Sequence, residues 1–124
     1  MRLLPLLLLA SACAAADAGP SSGETDLART LAARSAGTPS DCVPTSLSSG
    51  LAVRGPQTLI VERGDTIWVN RLAAACPGLR ETSQIVIELH GSQYCRGDPF
   101  QASEPGSTIA GPTCVLGRFL PYRR

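Results

Sequence analysis

The stretch QTLIVERGDTIWVNRL, residues 57–72, decides the fold. It holds two runs rich in β-branched and aromatic residues, QTLIVER and TIWVNRL, separated only by Gly64-Asp65. Such runs favour extended backbone, and a two-residue loop with glycine first suits a type II′ hairpin turn. Pairing Arg63 with Thr66 sets Val61 opposite Trp68 and Ile60 opposite Val69. Both faces of the hairpin are then partly apolar, as in a central strand pair covered on both sides.

Outward from the hairpin the pattern stays β. QIVIELH alternates, with Ile85, Ile87 and Leu89 expected inward and Val86, Glu88 and His90 outward. Shorter strands are expected at Cys42-Val43, Leu51 to Arg54, Gln93 to Cys95 and Cys114 to Phe119. GDPFQASEPGSTIAGPT, residues 97–113, reads as a long Gly/Pro/Ser-rich loop. Upstream, Thr25 or Asp26 can cap a short helix. Leu27 and Leu31 share one of its faces, Arg29 and Arg34 lie toward its negative end, and Gly37-Thr38-Pro39 stops it. The expected fold is mainly β: a small antiparallel sheet curled toward a barrel or sandwich, one short N-terminal helix, and two disulfides.

The N-terminus reads as an address. Met1-Arg2 precedes LLPLLLLA, an apolar run of about eight residues, too short to span a bilayer and suited to a signal-peptide core. Ala10-Ser11-Ala12 then leads directly to Cys13, which resembles the lipobox of bacterial lipoproteins, whose cysteine receives a diacylglyceryl group and becomes the mature N-terminus. Ala14 directly after the cysteine, where no aspartate stands, resembles the signal for outer-membrane sorting. A competing cut after Ala16, at Ala14-Ala15-Ala16, would give a plainly secreted or periplasmic protein. The division expected is a signal peptide at 1–12, a lipidated Cys13 with a flexible tether at 13–24, and a disulfide-stapled β-rich domain at 25–124.

Cysteine parity fits this reading. With Cys13 carrying lipid, Cys42, Cys76, Cys95 and Cys114 form an even set, read as two disulfides in a small exported domain. Their spacings of 34, 19 and 19 residues lack the close pairs that a zinc site uses. Three connectivities are open. Cys42–Cys114 with Cys76–Cys95 is the one expected, since it staples the domain ends and a central loop separately.

DCVP (41–44), VNRL (69–72), CPGL (76–79), YC (94–95) and CVLGRF (114–119) together resemble an uncharacterised family of small exported four-cysteine bacterial envelope proteins. The resemblance implies export, disulfides at the four cysteines and a compact domain, and it brings no activity. The Arg-Gly-Asp at 96–98 departs from the family pattern.

Charge and motifs narrow the function classes. All eleven basic residues are arginine; without Arg2, ten face ten carboxylates. That balance offers no nucleic-acid footprint and no polybasic membrane stripe. Arg-Gly-Asp occurs at 63–65 and 96–98, and turn chemistry explains both copies. His90 is the sole histidine, with Glu88 on its face, but no nucleophile elbow accompanies it. Trp68 reads as core, and the C-terminal RFLPYRR as either an interaction surface or a frayed end. No cofactor, metal or catalytic set is expected. The expected protein is a non-enzymatic, lipid-anchored envelope protein: a binding or inhibitory module that inserts the loop from Gly97 to Thr113 into a protein partner. The alternative is a structural or stress-related envelope component.

Overall fold

Two apolar cores, one on each face of a central hairpin, organise the structure, a computed structural model that describes residues 21–124. The signal peptide, Cys13, the cut after Ala16 and the tether up to residue 20 lie outside the described residues. In chain order the elements are α1 (Ser22–Ala32), β1 (Ser35–Ala36), β2 (Cys42–Pro44), β3 (Ser48–Gly55), β4 (Thr58–Arg63), β5 (Thr66–Arg71), β6 (Gln84–Ile87), β7 (Gln93–Cys95), β8 (Pro99–Ser103), β9 (Thr113–Val115) and β10 (Phe119–Arg123). They form a five-stranded sheet in the order β1-β10-β5-β4-β3, a three-stranded sheet β6-β8-β9 and a two-stranded ribbon β2-β7. Among the described residues every pairing is antiparallel, and no sheet closes into a barrel. The arrangement is sandwich-like, with a helix on the outer side.

The hairpin has the register expected of it: Arg63 pairs with Thr66, Val61 with Trp68 and Ile60 with Val69. Gly64 takes a φ of 60° while Asp65 stays out of the left-handed region, as a type II′ turn requires. Alternation then sends successive side chains to opposite cores. Leu59 and Val61 join Val43, Val53, Phe100, Leu116 and Phe119 on one face, with Trp68 packed at the edge of that cluster. Ile60, Ile67 and Val69 meet Leu27 of the helix on the other, joined by Leu31 and Tyr122. Burying each such aliphatic side chain stabilises by roughly 1.5–3 kcal/mol, so a strand apolar on both faces contributes twice over.

Several expectations are corrected. The helix is capped by Ser21, whose Oγ accepts from the Glu24 N–H at 3.3 Å, and not by Thr25 or Asp26. Residues 21–24, assigned to the tether, are therefore part of the folded domain. Leu89 is exposed, because β6 ends at Ile87 before the alternation reaches it. The segment from Cys114 to Phe119 is two strands in different sheets, β9 and the start of β10. Pro99–Ser103, expected inside a loop, is the central strand of the three-stranded sheet, with Phe100 and Ala102 buried. The C-terminal RFLPYRR is no frayed end: Phe119–Arg123 lies between β1 and β5 in the larger sheet.

The disulfide pairing is also corrected. The bridges are Cys42–Cys95 and Cys76–Cys114, not Cys42–Cys114 and Cys76–Cys95. Strand pairing is the cause. Cys42 and Cys95 are directly opposed in the β2-β7 ribbon, with Cα atoms 4.1 Å apart. Cys114 on β9 instead faces the core, where it ties down Cys76 from the segment that leaves β5. The bridges close intervals of 53 and 38 residues. In the chain-entropy account each removes about 4 kcal/mol of freedom from the unfolded state.

Candidate binding surface

The residues with most freedom to meet a partner gather around the three-stranded sheet. Its inner face gives Ile85, Ile87, Phe100, Ala102 and Cys114 to the core. By alternation the outer face carries Val86, Gln101 and Thr113 in one row and Pro99 beside Val115 in the next. Val86 is 60% exposed and Val115 52%, while Ile109, in the β8–β9 connection, is 79% exposed. With Leu89, these are four of the five exposed large hydrophobics among the described residues; the fifth, Leu47, lies elsewhere. A shallow groove of about 400 Å³ runs over this face, lined by Val86, Glu88, Pro99, Phe100, Gln101 and Thr113. Glu88 is the sole charged residue in that lining.

Two polar constructions hold the frame behind the surface. The first is centred on Asn70, fully buried on β5. Its Nδ2 donates to the Gly117 carbonyl at 2.8 Å, and its Oδ1 accepts from the Gly117 N–H at 2.8 Å. The amide thus imitates a strand partner for a single residue, satisfying both main-chain groups of the link between β9 and β10. Gly117 must lack a side chain there, because a Cβ would run into the Arg71 carbonyl oxygen. The second construction seats the helix N-terminus. Glu81 Oε1 accepts from the Gly23 N–H at 2.7 Å, and Glu24 Oε1 accepts from Thr58 Oγ1 at 2.9 Å. A carboxylate there meets free N–H groups and the positive end of the helix dipole. Ser21 Oγ also donates to the Arg54 carbonyl at 3.0 Å, fastening the cap to β3.

The other residues singled out in the sequence are placed as follows. In the first Arg-Gly-Asp, Arg63 Nε donates to the Ser46 carbonyl at 2.9 Å and the Asp65 carbonyl accepts from Arg34 at 2.6 Å. In the second, Asp98 Oδ2 accepts from the Cys95 N–H at 2.9 Å, closing its own turn around Gly97, whose φ is 88°. Both motifs therefore serve turns. Asp41 meets Arg118 at 3.3 Å and Arg96 at 3.9 Å, all well exposed, so the cluster contributes at most about 1 kcal/mol. His90 and Glu88 are both exposed at the end of β6, and no nucleophile is hydrogen-bonded to His90 among the described residues. Among the described residues no group of three or more His, Cys, Asp or Glu side chains is placed to hold a metal ion.

The sequence carried signals for some of what was missed. Ser21-Ser22-Gly23-Glu24 has the S-x-x-E form of a capping box, which marks a helix start. PFQAS alternates Phe100 and Ala102 with polar neighbours, a strand pattern hidden by the Gly and Pro around it. Nothing in the sequence pairs Asn70 with Gly117, 47 positions away. No protein-family model, no curated protein and no solved structure matches the chain.

Proposed function

We propose that this chain is a lipid-anchored protein of the bacterial cell envelope, whose disulfide-held β domain binds a protein partner through the outer face of β6-β8-β9. The observation that carries the binding reading is the gathering of Val86, Leu89, Ile109 and Val115 on or beside one small sheet. Apolar side chains concentrated on one face favour contact with another protein over solvent. Glu88 in the groove favours a partner surface that is apolar with a basic residue at its edge. This replaces the inserted loop from Gly97 to Thr113 with a rigid sheet face, since the first part of that loop is β8.

Export and anchoring rest on the leader, on Cys13 and on the two bridges. Disulfides persist in oxidising compartments, which agrees with a protein sent out of the cytoplasm. Ala14 after Cys13, where no aspartate stands, supports an outer-membrane anchor with the domain facing the periplasm. The reading is non-enzymatic.

Two experiments test the reading. Metabolic labelling with a palmitate analogue should mark the wild type and be lost in Cys13→Ser; labelling that persists in the variant refutes lipidation there. Affinity capture from envelope extracts should recover a partner with the wild type and lose it with Val86→Asp, Val115→Asp. Equal recovery by both refutes the sheet face. Light scattering on the purified chain distinguishes self-association, and a dimer abolished by the same substitutions would replace the foreign partner with a second copy.

A further inference from the structure

The two bridges differ in their access to an attacking thiol, and we propose that Cys42–Cys95 is a site of thiol–disulfide exchange with external dithiols while Cys76–Cys114 is the permanent structural bridge. Cys76 is 3% exposed and Cys114 9%, and both belong to the main core beside Leu79, Leu116 and Phe100. In the folded domain this bridge offers an attacking thiol little surface. Cys42 and Cys95 are half-buried and belong to neither core. Alternation in the ribbon explains the difference. Val43 and its partner Tyr94 turn toward the main core, so Cys42 and Cys95 turn the other way. The neighbour of Cys95 Sγ is the exposed Gln93, with Oε1 at 4.0 Å.

Exchange needs a thiolate to approach one sulfur along the S–S axis. The thiolate of a dithiol attacks one Sγ of the bridge, forming a mixed disulfide. The Cys42–Cys95 bond breaks, and its electron pair leaves on the other Sγ, which takes a proton from water. The second thiolate then attacks the dithiol's own sulfur in the mixed disulfide, and the electron pair of that bond leaves on the remaining Sγ, which takes a proton from water. The dithiol ends oxidised to a disulfide, and Cys42 and Cys95 end as two thiols. Asp41 and Asp98 balance Arg96 and Arg118 around the bridge, so access, not local charge, sets the order. The ribbon keeps its own ladder after reduction. Its flanking bonds do not pass through the bridge: Thr45 N–H donates to the Ser92 carbonyl at 2.9 Å and Arg96 N–H to the Asp41 carbonyl at 2.6 Å. The two thiols thus stay opposed and can close again.

Tryptic mapping resolves the sites, because arginines place the four cysteines on separate peptides, 35–54, 72–80, 81–96 and 97–118. The full chain is treated with dithiothreitol, quenched at intervals with N-ethylmaleimide and digested. The expected result is a half-reduced species labelled on 35–54 and 81–96, formed at least about tenfold faster than label appears on the other two peptides. That species should keep the fluorescence of Trp68, and, left unquenched, it should close again when the reductant is replaced by oxidised glutathione, which takes up the two electrons. Equal labelling rates for all four peptides, or earlier labelling of 72–80 and 97–118, would overturn the assignment. Denaturant supplies the control: with the fold opened, the difference in rate should vanish, and a preference that survives would also overturn it, because burial could not then be its cause.

Discussion

Replacing Asn70 by leucine is the sharpest test of how the frame is held. The two side chains share one branched skeleton, but both amide hydrogen bonds to Gly117 disappear, and the bulkier methyl groups add some overpacking at this buried site. The Gly117 N–H and carbonyl then keep no other protein partner among the described residues. An unsatisfied main-chain group costs about 1–3 kcal/mol when buried, and because Gly117 is half-buried the pair sits near the low end, at about 2 kcal/mol. A small domain has about 5–15 kcal/mol in total, which makes this a large fraction of its stability. Urea unfolding of the purified Cys13→Ser form, followed through Trp68, reads the effect. With a slope of roughly 1–2 kcal/mol per molar urea, the midpoint should fall by about 1–2 M. Asn70→Asp adds a check on sign. Its carboxyl can donate to the Gly117 carbonyl only when protonated, and burial raises its folded pKa above the unfolded value of about 4. The variant should therefore come closest to wild type below pH 4 and lose stability as pH rises through the folded pKa. An Asn70→Leu midpoint within about 0.5 M of wild type would refute the reasoning, since the cost of two orphaned groups could not hide in that margin.

The other expected outcomes concern the helix seat and one exposed loop. Gly23→Ala would drive a Cβ into the Glu81 carboxylate and the Arg54 carbonyl, so the cap should lift away and thermal unfolding should show a loss of about 2 kcal/mol. If Gly23→Ala melts with the wild type, the helix is not held through that contact. Leu47 is exposed with a φ of 58°, a conformation that leucine adopts at a cost, so Leu47→Gly should raise the melting temperature by about 4 °C. A lower melting temperature for Leu47→Gly would show that the side chain has a packing role that outweighs its backbone strain.

What was legible in the sequence follows from how local its causes are. The hairpin register was readable because a two-residue turn leaves one way to pair Arg63 with Thr66, and the alternation of Leu59, Ile60 and Val61 then assigns faces. The β7 strand at Gln93–Cys95 emerged with its expected bounds for a similar reason. The disulfide pairing was not readable. It depends on β2 meeting β7 across 53 residues, and spacing alone does not encode that meeting. The strand at Pro99–Ser103 was hidden because Gly97, Pro105 and Gly106 surround it, and its order comes from partners on both sides. The candidate surface was missed for the same reason: Val86 and Val115 come to share one sheet face only once β8 lies between their strands.

The claim that the outer face of the three-stranded sheet meets a partner is tested most directly by crosslinking in the envelope of living cells. A photo-crosslinking amino acid is placed in turn at Val86, at Val115 and, on the opposite side of the domain, at the exposed Arg29 of the helix. The account predicts one discrete adduct of the same mass from positions 86 and 115, and none of that mass from position 29. An adduct from position 29 alone, or no adduct from the two sheet positions, would contradict it.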